Sequence, residues 1–414
     1  MKSGSAPSRR HVIAGLGAAS FAGLATAAEQ GDVRRPTTGE ISRYGPDYMF
    51  RPGLVYLNTA SLGPTPRPVF ERVLQAWREL ETNPVLNAYG TGSVVAAADA
   101  TRGEAAGLLG CTADEILITR GTTDGMITLA NAVRLERGDH ILTTDQEHEG
   151  GEACWIRRAR REGLHIDRVA IAPEEHDVAA ILRRFADALR PATRVISVSH
   201  VITSTGLRMP IAEISELARA RNILCIVDGA QAVGAIQVDV KALGCHAYAT
   251  SGHKWLMGPK GTGLLYVNRE AGALIEPAQW ELGHRYGSES TGTGPQPLAI
   301  GLGAAIAALR AIGMEEVERR NVALRNYAWR ALSTLSRAEL VGPPPGSGNT
   351  PLVAFRIPPE IVARDLRIRL TNLHNVVVKS AEARWLNGLR LSPHLFNSER
   401  DVDLAMAALR VELG

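Results

Sequence analysis

Ile226-Val227-Asp228-Gly229-Ala230-Gln231 and, farther along, Ser251-Gly252-His253-Lys254-Trp255 are the two stretches that decide the reading of this chain, with Lys254 twenty-six residues after Asp228. Each closes an apolar run of strand character, 223–228 and 247–251, and a glycine-led run at 263–267 follows. Open α/β sheets gather their ligands at the ends of strands. A lysine placed there is partly stripped of water, loses its proton near neutrality and can attack an aldehyde. An aspartate that ends a buried strand is costly without a partner. A cationic ring nitrogen is one partner, and capping of the following helix is the other reading. A neighbouring opposite charge shifts a pKa by roughly 1–3 units. That is enough to keep such a ring protonated and able to draw electrons from a substrate carbon.

Working outward, further strand-like runs lie at 115–119, 140–144, 166–171 and 194–200, with helical patterns such as 177–189 and 211–221 between them. This alternation predicts an α/β fold with a mostly parallel sheet covered by helices on both faces. Near Pro295-Gln296-Pro297 the pattern changes to a long alanine-rich helix over 298–312, a second helix over 315–336 and a shorter α+β region from 352 to 414. The expected division is a segment 1–28, an arm over 29–55, a large domain over 56–295 and a small C-terminal domain over 296–414. Gly301-Leu302-Gly303 sits inside a helical pattern with no strand before it, so helix packing is its reading rather than a dinucleotide fingerprint. The glycines of 258–263 miss the spacing of a phosphate-binding loop.

With 414 residues, 45% hydrophobic and 21% charged, the chain has the balance of a globular protein. A net charge of +3 argues for neither nucleic acid nor an anionic membrane as partner. Arg157-Arg158 with Arg160-Arg161, and Arg183-Arg184, read as solvated helix faces. Cys111, Cys154, Cys225 and Cys245 have no paired spacing, so neither a metal site nor a disulfide scaffold is expected, and Cys225 reads as a small buried side chain. At the N-terminus Arg9-Arg10 precede a short Gly/Ala-rich stretch and Ala25-Thr26-Ala27, which resembles a twin-arginine export signal. The stretch is too short and glycine-rich to serve as a stable membrane anchor. A periplasmic or secreted location is expected, the alternative being cytoplasmic.

Taken in order, these motifs resemble the class V aminotransferase family of fold-type I enzymes that depend on pyridoxal 5′-phosphate (PLP), from about Leu57 to the C-terminus. The resemblance implies that Lys254 joins the cofactor as a Schiff base and moves protons at the substrate Cα. It implies that Asp228 pairs with the ring nitrogen, Gln231 with the phenolic oxygen, and His148 with the ring face. Gly121-Thr122-Thr123 would form the phosphate cup, since backbone N–H groups at a helix start suit a dianion, with Ser251 and His253 as further donors. Thr203, in Ser199-His200-Val201-Ile202-Thr203-Ser204-Thr205-Gly206, stands where cysteine desulfurases place an asparagine beside the phenolic oxygen. Thr293, in Glu289-Ser290-Thr291-Gly292-Thr293-Gly294, would reach the phosphate of a neighbouring subunit in a homodimer with shared active sites. Arg390, in Leu389-Arg390-Leu391-Ser392-Pro393-His394, would clamp the substrate α-carboxylate, a task that suits a planar guanidinium.

The desulfurase pattern breaks in one place: no cysteine lies between Arg364 and Arg390. The form of the Thr203 and Arg390 motifs is similar to the isopenicillin N epimerase-like branch. The expected function is therefore chemistry at Cα of an amino acid or small peptide, of epimerase or lyase type. An aminotransferase is the alternative. A PLP-binding protein without turnover is a further one, and it would be marked by loss of Lys254 or Arg390.

Overall fold

The computed structural model describes residues 48–271, 274–275, 293–346 and 348–414. The export-like segment, most of the arm and the loop around Trp280 and Tyr286 lie outside the described residues. The chain begins with β1 (Val55–Tyr56) and three helices, α1 (Arg67–Thr82), α2 (Pro84–Tyr89) and α3 (Ser93–Leu109). It then alternates through β2 (Ile116–Thr119), α4 (Thr122–Ala132), β3 (His140–Thr144), α5 (Glu149–Glu162), β4 (His165–Val169) and α6 (Val178–Ala188). Next come β5 (Thr193–Ser199), α7 (Ile211–Arg219), β6 (Leu224–Asp228), α8 (Val240–Leu243), β7 (Ala247–Ser251) and β8 (Gly263–Val267). The C-terminal part contains α9 (Gln296–Ile312), α10 (Met314–Leu332), β9 (Glu339–Val341), β10 (Val353–Arg356) and α11 (Ala363–His374). It ends with β11 (Val376–Val377), β12 (Lys379–Ser380), β13 (Gly388–Leu391) and α12 (Glu399–Leu413).

Seven strands form one sheet in the order β2-β8-β7-β6-β5-β3-β4, in which β8 alone runs against the others. These are the seven runs visible in the sequence, with shifted ends. Glu115 drops out of the first because it closes a single turn with Thr112 and pairs with Lys241. The central strands are apolar on both sides because helices cover both faces. Ile196, Val198 and Val227 pack with Ile181, Phe185 and Ile214 from α6 and α7. The alternate residues Val195, Leu224 and Ile226 pack with Met126, Leu129 and Trp155 from α4 and α5. Cys225 is fully buried in the first of these cores, as its apolar surroundings predict. The architecture is that of fold-type I.

Gly301 and Gly303 pack α9 tightly onto its neighbours. A Cβ on Gly301 would stand 2.3 Å from Val73 of α1, and one on Gly303 2.5 Å from Thr101 of α3. The arginine cluster of α5 departs from the expected solvated face at one position. Arg158 is buried, and its guanidinium donates to the carbonyls of Ala130 and Val133 at the end of α4 and pairs with Glu162. The last carbonyls of a helix lack partners in their own helix, and a cation satisfies them well. A second sheet, antiparallel in the order β12-β13-β10-β9, lies in the C-terminal part. There β1 pairs in parallel with β11, so Val55 and Leu57 share a core with Phe355 and Leu409. Among the described residues, no single helix is long and apolar enough to cross a membrane.

Candidate active site

Because β2, β3, β5, β6 and β7 run the same way, Thr119, Thr144, Ser199, Asp228 and Ser251 all end at one edge of the large sheet. A cavity of about 630 Å³ opens there, and residues of β12, β13 and the loop between them form its opposite wall. Lys254, Asp228, Gln231, His148, Gly121, Thr122, Thr123, Thr203, Ser251, His253 and Arg390 all line it. Thr293 does not: it is exposed and absent from the lining of its own chain's cavity.

Lys254 makes no side-chain hydrogen bond or ion pair among the described residues. Burial lowers its pKa to about 8; the carboxylate of Asp228 opposes that shift and Arg390 adds to it. Near neutrality an appreciable fraction is therefore the neutral amine, a nucleophile. Asp228 is buried, with one hydrogen bond from the Ala230 N–H at 2.9 Å and no ion pair among the described residues. Burial raises its pKa, and the Lys254 ammonium is the first influence holding it down. The start of α5 closes directly over this carboxylate. A Cβ on Gly151 would lie 2.5 Å from Asp228 Oδ2, and one on Gly150 2.5 Å from Thr123 Oγ1, so only glycine fits in that turn. His148 caps α5 by accepting the Gly150 N–H at its Nδ1, 3.0 Å away, which leaves the ring proton on Nε2. Burial, then the Lys254 charge, lowers its pKa and favours the neutral ring.

On one side of Lys254, α4 points its N-terminus into the cavity. Gly121 precedes the first turn at φ 152°, a conformation suited to glycine. The free N–H groups of that turn suit an anion. The Ser251 hydroxyl accepts the Thr122 N–H at 3.1 Å and lies 2.8 Å from the Thr122 hydroxyl. His253 Nδ1 contacts the Thr262 carbonyl at 3.1 Å, so Nδ1 carries the proton and burial holds the ring neutral.

On the other side, Thr203 is a junction. Its hydroxyl accepts from Arg390 Nη1 at 2.6 Å and from Gln231 Nε2 at 3.2 Å, and its carbonyl accepts from Arg390 Nη1 at 2.7 Å. Gln231 gives its other amide proton to the Ala60 carbonyl and accepts from Trp255 Nε1. Both Gln231 donors are thus engaged with protein, and the hydroxyl proton left to donate belongs to Thr203. Arg390 is buried; among the described residues its Nε has no partner, and Nη2 reaches Ser61 Oγ at 3.4 Å. The guanidinium therefore offers one edge, Nε and Nη2.

Several lining residues were not marked by sequence reasoning. Arg120 and Asp124 form an ion pair at 2.6 Å beside the α4 terminus. Lys379, Glu382 and Trp385 stand across from the sheet edge. Trp385 Nε1 donates to the Asp145 carbonyl at 2.9 Å and Arg384 Nη2 to the Glu147 carbonyl at 3.0 Å, which ties this wall to the turn that carries His148. Behind the turn, Glu147 is a buried acid bonded by the hydroxyls of Thr144 and Ser199, and burial pushes its pKa up to about 7. The stretch Asp145-Gln146-Glu147-His148 drew attention for its histidine alone, and nothing in its spacing marks the glutamate as interior.

The donor set fits a pyridoxal phosphate. It combines an amine whose pKa burial lowers to about 8, a buried carboxylate with no ion pair among the described residues, a helix N-terminus flanked by hydroxyls, and a histidine on the cavity wall. A model of the family Aminotransferase class-V matches residues 55–404 of the chain. Isopenicillin N epimerase of Amycolatopsis lactamdurans is 31% identical over 386 residues, covering 87% of this chain and 95% of that protein. A probable cysteine desulfurase of Methanothermobacter thermautotrophicus is 30% identical over 307 residues, covering 70% and 75%. Among solved structures, a mutant of the lyase C-DES with glycine covalently linked to its PLP cofactor superposes with a TM-score of 0.78 at 24% identity, over 86% of this chain and 96% of that one. Sheet order, cavity and sequence thus agree: the chain belongs to the class-V aminotransferase family of PLP-dependent enzymes.

Proposed function

We propose that the protein carries PLP on Lys254 and acts at the Cα of an amino acid or small peptide, by epimerase- or lyase-type chemistry. The observation that carries this reading is the placement of Lys254, which has no ion pair among the described residues, a buried Asp228 and Arg390, whose Nε makes no hydrogen bond among them, around one cavity. When bound, the cofactor supplies a site of covalent attachment and a cationic ring that draws electrons from Cα. The protein's own groups do the rest. Asp228 would hold the ring nitrogen proton, because a buried carboxylate with no ion pair among the described residues favours a cation beside it. The first turn of α4, with the Ser251 hydroxyl, would hold the phosphate, while neutral His253 spends its one ring proton on the Thr262 carbonyl. Thr203 donates to the phenolic oxygen, with Gln231 and Arg390 fixing the hydroxyl's orientation, so the role expected of Gln231 passes in part to Thr203. Arg390 clamps the α-carboxylate through Nε and Nη2. Lys254, as the neutral amine, would be the base that takes the Cα proton.

Among the described residues no cysteine lines the cavity, which weighs against a persulfide-forming desulfurase despite the resemblance to such enzymes. We also propose a homodimer. The exposed stripe Phe70, Leu74 and Trp77 on α1 continues into Val85, Leu86 and Tyr89 on α2 and suits a second copy, as does the outward position of Thr293. Export by the twin-arginine route is part of the same reading, and Arg9-Arg10→Lys-Lys in a reporter fusion should block it. The reaction is tested by incubating the holoenzyme with a panel of L-amino acids and dipeptides in D2O. Deuterium at Cα with inversion identifies an epimerase, and ammonia with an alkene or sulfur product a lyase. A keto acid would replace this reading with an aminotransferase, and no exchange with any substrate would overturn it.

A further inference from the structure

We infer that the substrate carries a second anionic group, a side-chain carboxylate or its equivalent, that is seated on Lys379 beside Arg390. The inference rests on the reading above, in which Arg390 takes the α-carboxylate. Its starting point is strand register. β12 and β13 are antiparallel, with Lys379 directly opposite Arg390. Cross-strand partners point to the same face with Cβ atoms roughly 5 Å apart, and like charges so placed destabilise a sheet. Both residues line the cavity, so two cations stand side by side on one wall.

Among the described residues neither cation has an ion pair, and Glu382 is the acid whose charge acts on Arg390. Glu382 lines the same cavity, but its carboxylate pairs with Arg384 Nε at 3.0 Å. Asp124 is held by Arg120. Lys379 is exposed to the cavity mouth and has no ion pair among the described residues. On its other side Arg390 faces Ala354 in β10, which brings no charge. A single carboxylate also leaves the pair unbalanced. Both protons of Arg390 Nη1 go to Thr203, so the guanidinium has one free edge, Nε with Nη2, and that edge takes one carboxylate. Lys379 is left with three donors and no acceptor among the described residues. A molecule with two carboxylates, one on each cation, satisfies both residues. Trp385, which stacks under Arg384 at 4.3 Å, forms an apolar flank for the methylenes between the two acids. The chemical class is an amino acid whose side chain ends in an acid.

The test uses the PLP-loaded enzyme and two unreactive probes, glutarate with two carboxylates and pentanoate with one, each titrated by calorimetry. Glutarate should bind about tenfold or more tightly than pentanoate, as expected for one added charge-assisted contact. Lys379→Gln should erase that gap and leave pentanoate unchanged, and Lys379→Arg should restore it. Equal affinities in the unaltered enzyme, no measurable glutarate binding, or a gap that survives Lys379→Gln overturns the inference while leaving the α-carboxylate assignment intact. Arg390→Lys should weaken both acids. If it weakens neither, that assignment fails, and this inference falls with it.

Discussion

The two walls of the cavity are made differently. The wall from the large sheet presents Asp228, Ser251 and Thr122 from strand ends and a helix start, and all three are buried. The opposite wall presents Lys379, Glu382 and Trp385 from a strand of two residues and the loop after it, and is more open to solvent. The difference teaches a division of labour. Shifting the pKa of a lysine or holding a charged ring needs exclusion of water, which a closed parallel sheet supplies. Choosing among side chains needs a surface that can vary without disturbing that core, and a short hairpin supplies it.

This contrast can be broken experimentally, and the largest effect belongs to the buried wall. Asp228→Asn keeps the shape but removes the charge that holds the ring proton. Turnover should fall by roughly 10²–10³-fold, the range seen when one preorganised electrostatic partner is lost, while covalent loading persists. A fall of less than tenfold would place the electron-withdrawing influence elsewhere. Next is the pH dependence of cofactor capture by the apoprotein, followed by visible absorbance. Capture needs the neutral amine, and burial lowers the Lys254 pKa to about 8. The rate should climb about tenfold per pH unit below that value and level off above it. A rise that continues toward pH 10 would mean that the lysine is hydrated. The smallest effect belongs to the open wall. Arg384→Ala removes the hydrogen bond to the Glu147 carbonyl and the exposed pair with Glu382 but leaves the hydrogen bond from Trp385 to Asp145. The loss is on the order of 1 kcal/mol, so KM should rise only a few-fold with kcat nearly unchanged. A collapse of kcat would show that this wall positions the reacting atoms as well.

How much of this was legible in the sequence follows the same division. The central strands of the large sheet stood out because strands buried on both faces are continuous apolar runs, and ten of the eleven expected site residues that line the cavity lie at or just past the ends of large-sheet strands, Arg390 coming from the second sheet. Lys379 was invisible. Its strand has two residues, and its place beside Arg390 depends on a register set by folding rather than by local pattern. Thr203 and Arg390, 187 positions apart, were read separately, and their hydrogen bonds join two sheets that no periodicity connects. Arg158 misled because four arginines in a row of five look uniformly solvated, whereas rotation along α5 turns one of them inward to the carbonyls of α4.

The central claim is tested most directly by reducing the purified, coloured enzyme with borohydride, digesting it and locating the added mass by tandem spectrometry. The account predicts a pyridoxyl phosphate increment on the peptide containing Lys254, with loss of the visible band. The increment on any other lysine, such as Lys260 or Lys379, or no increment at all, would contradict it.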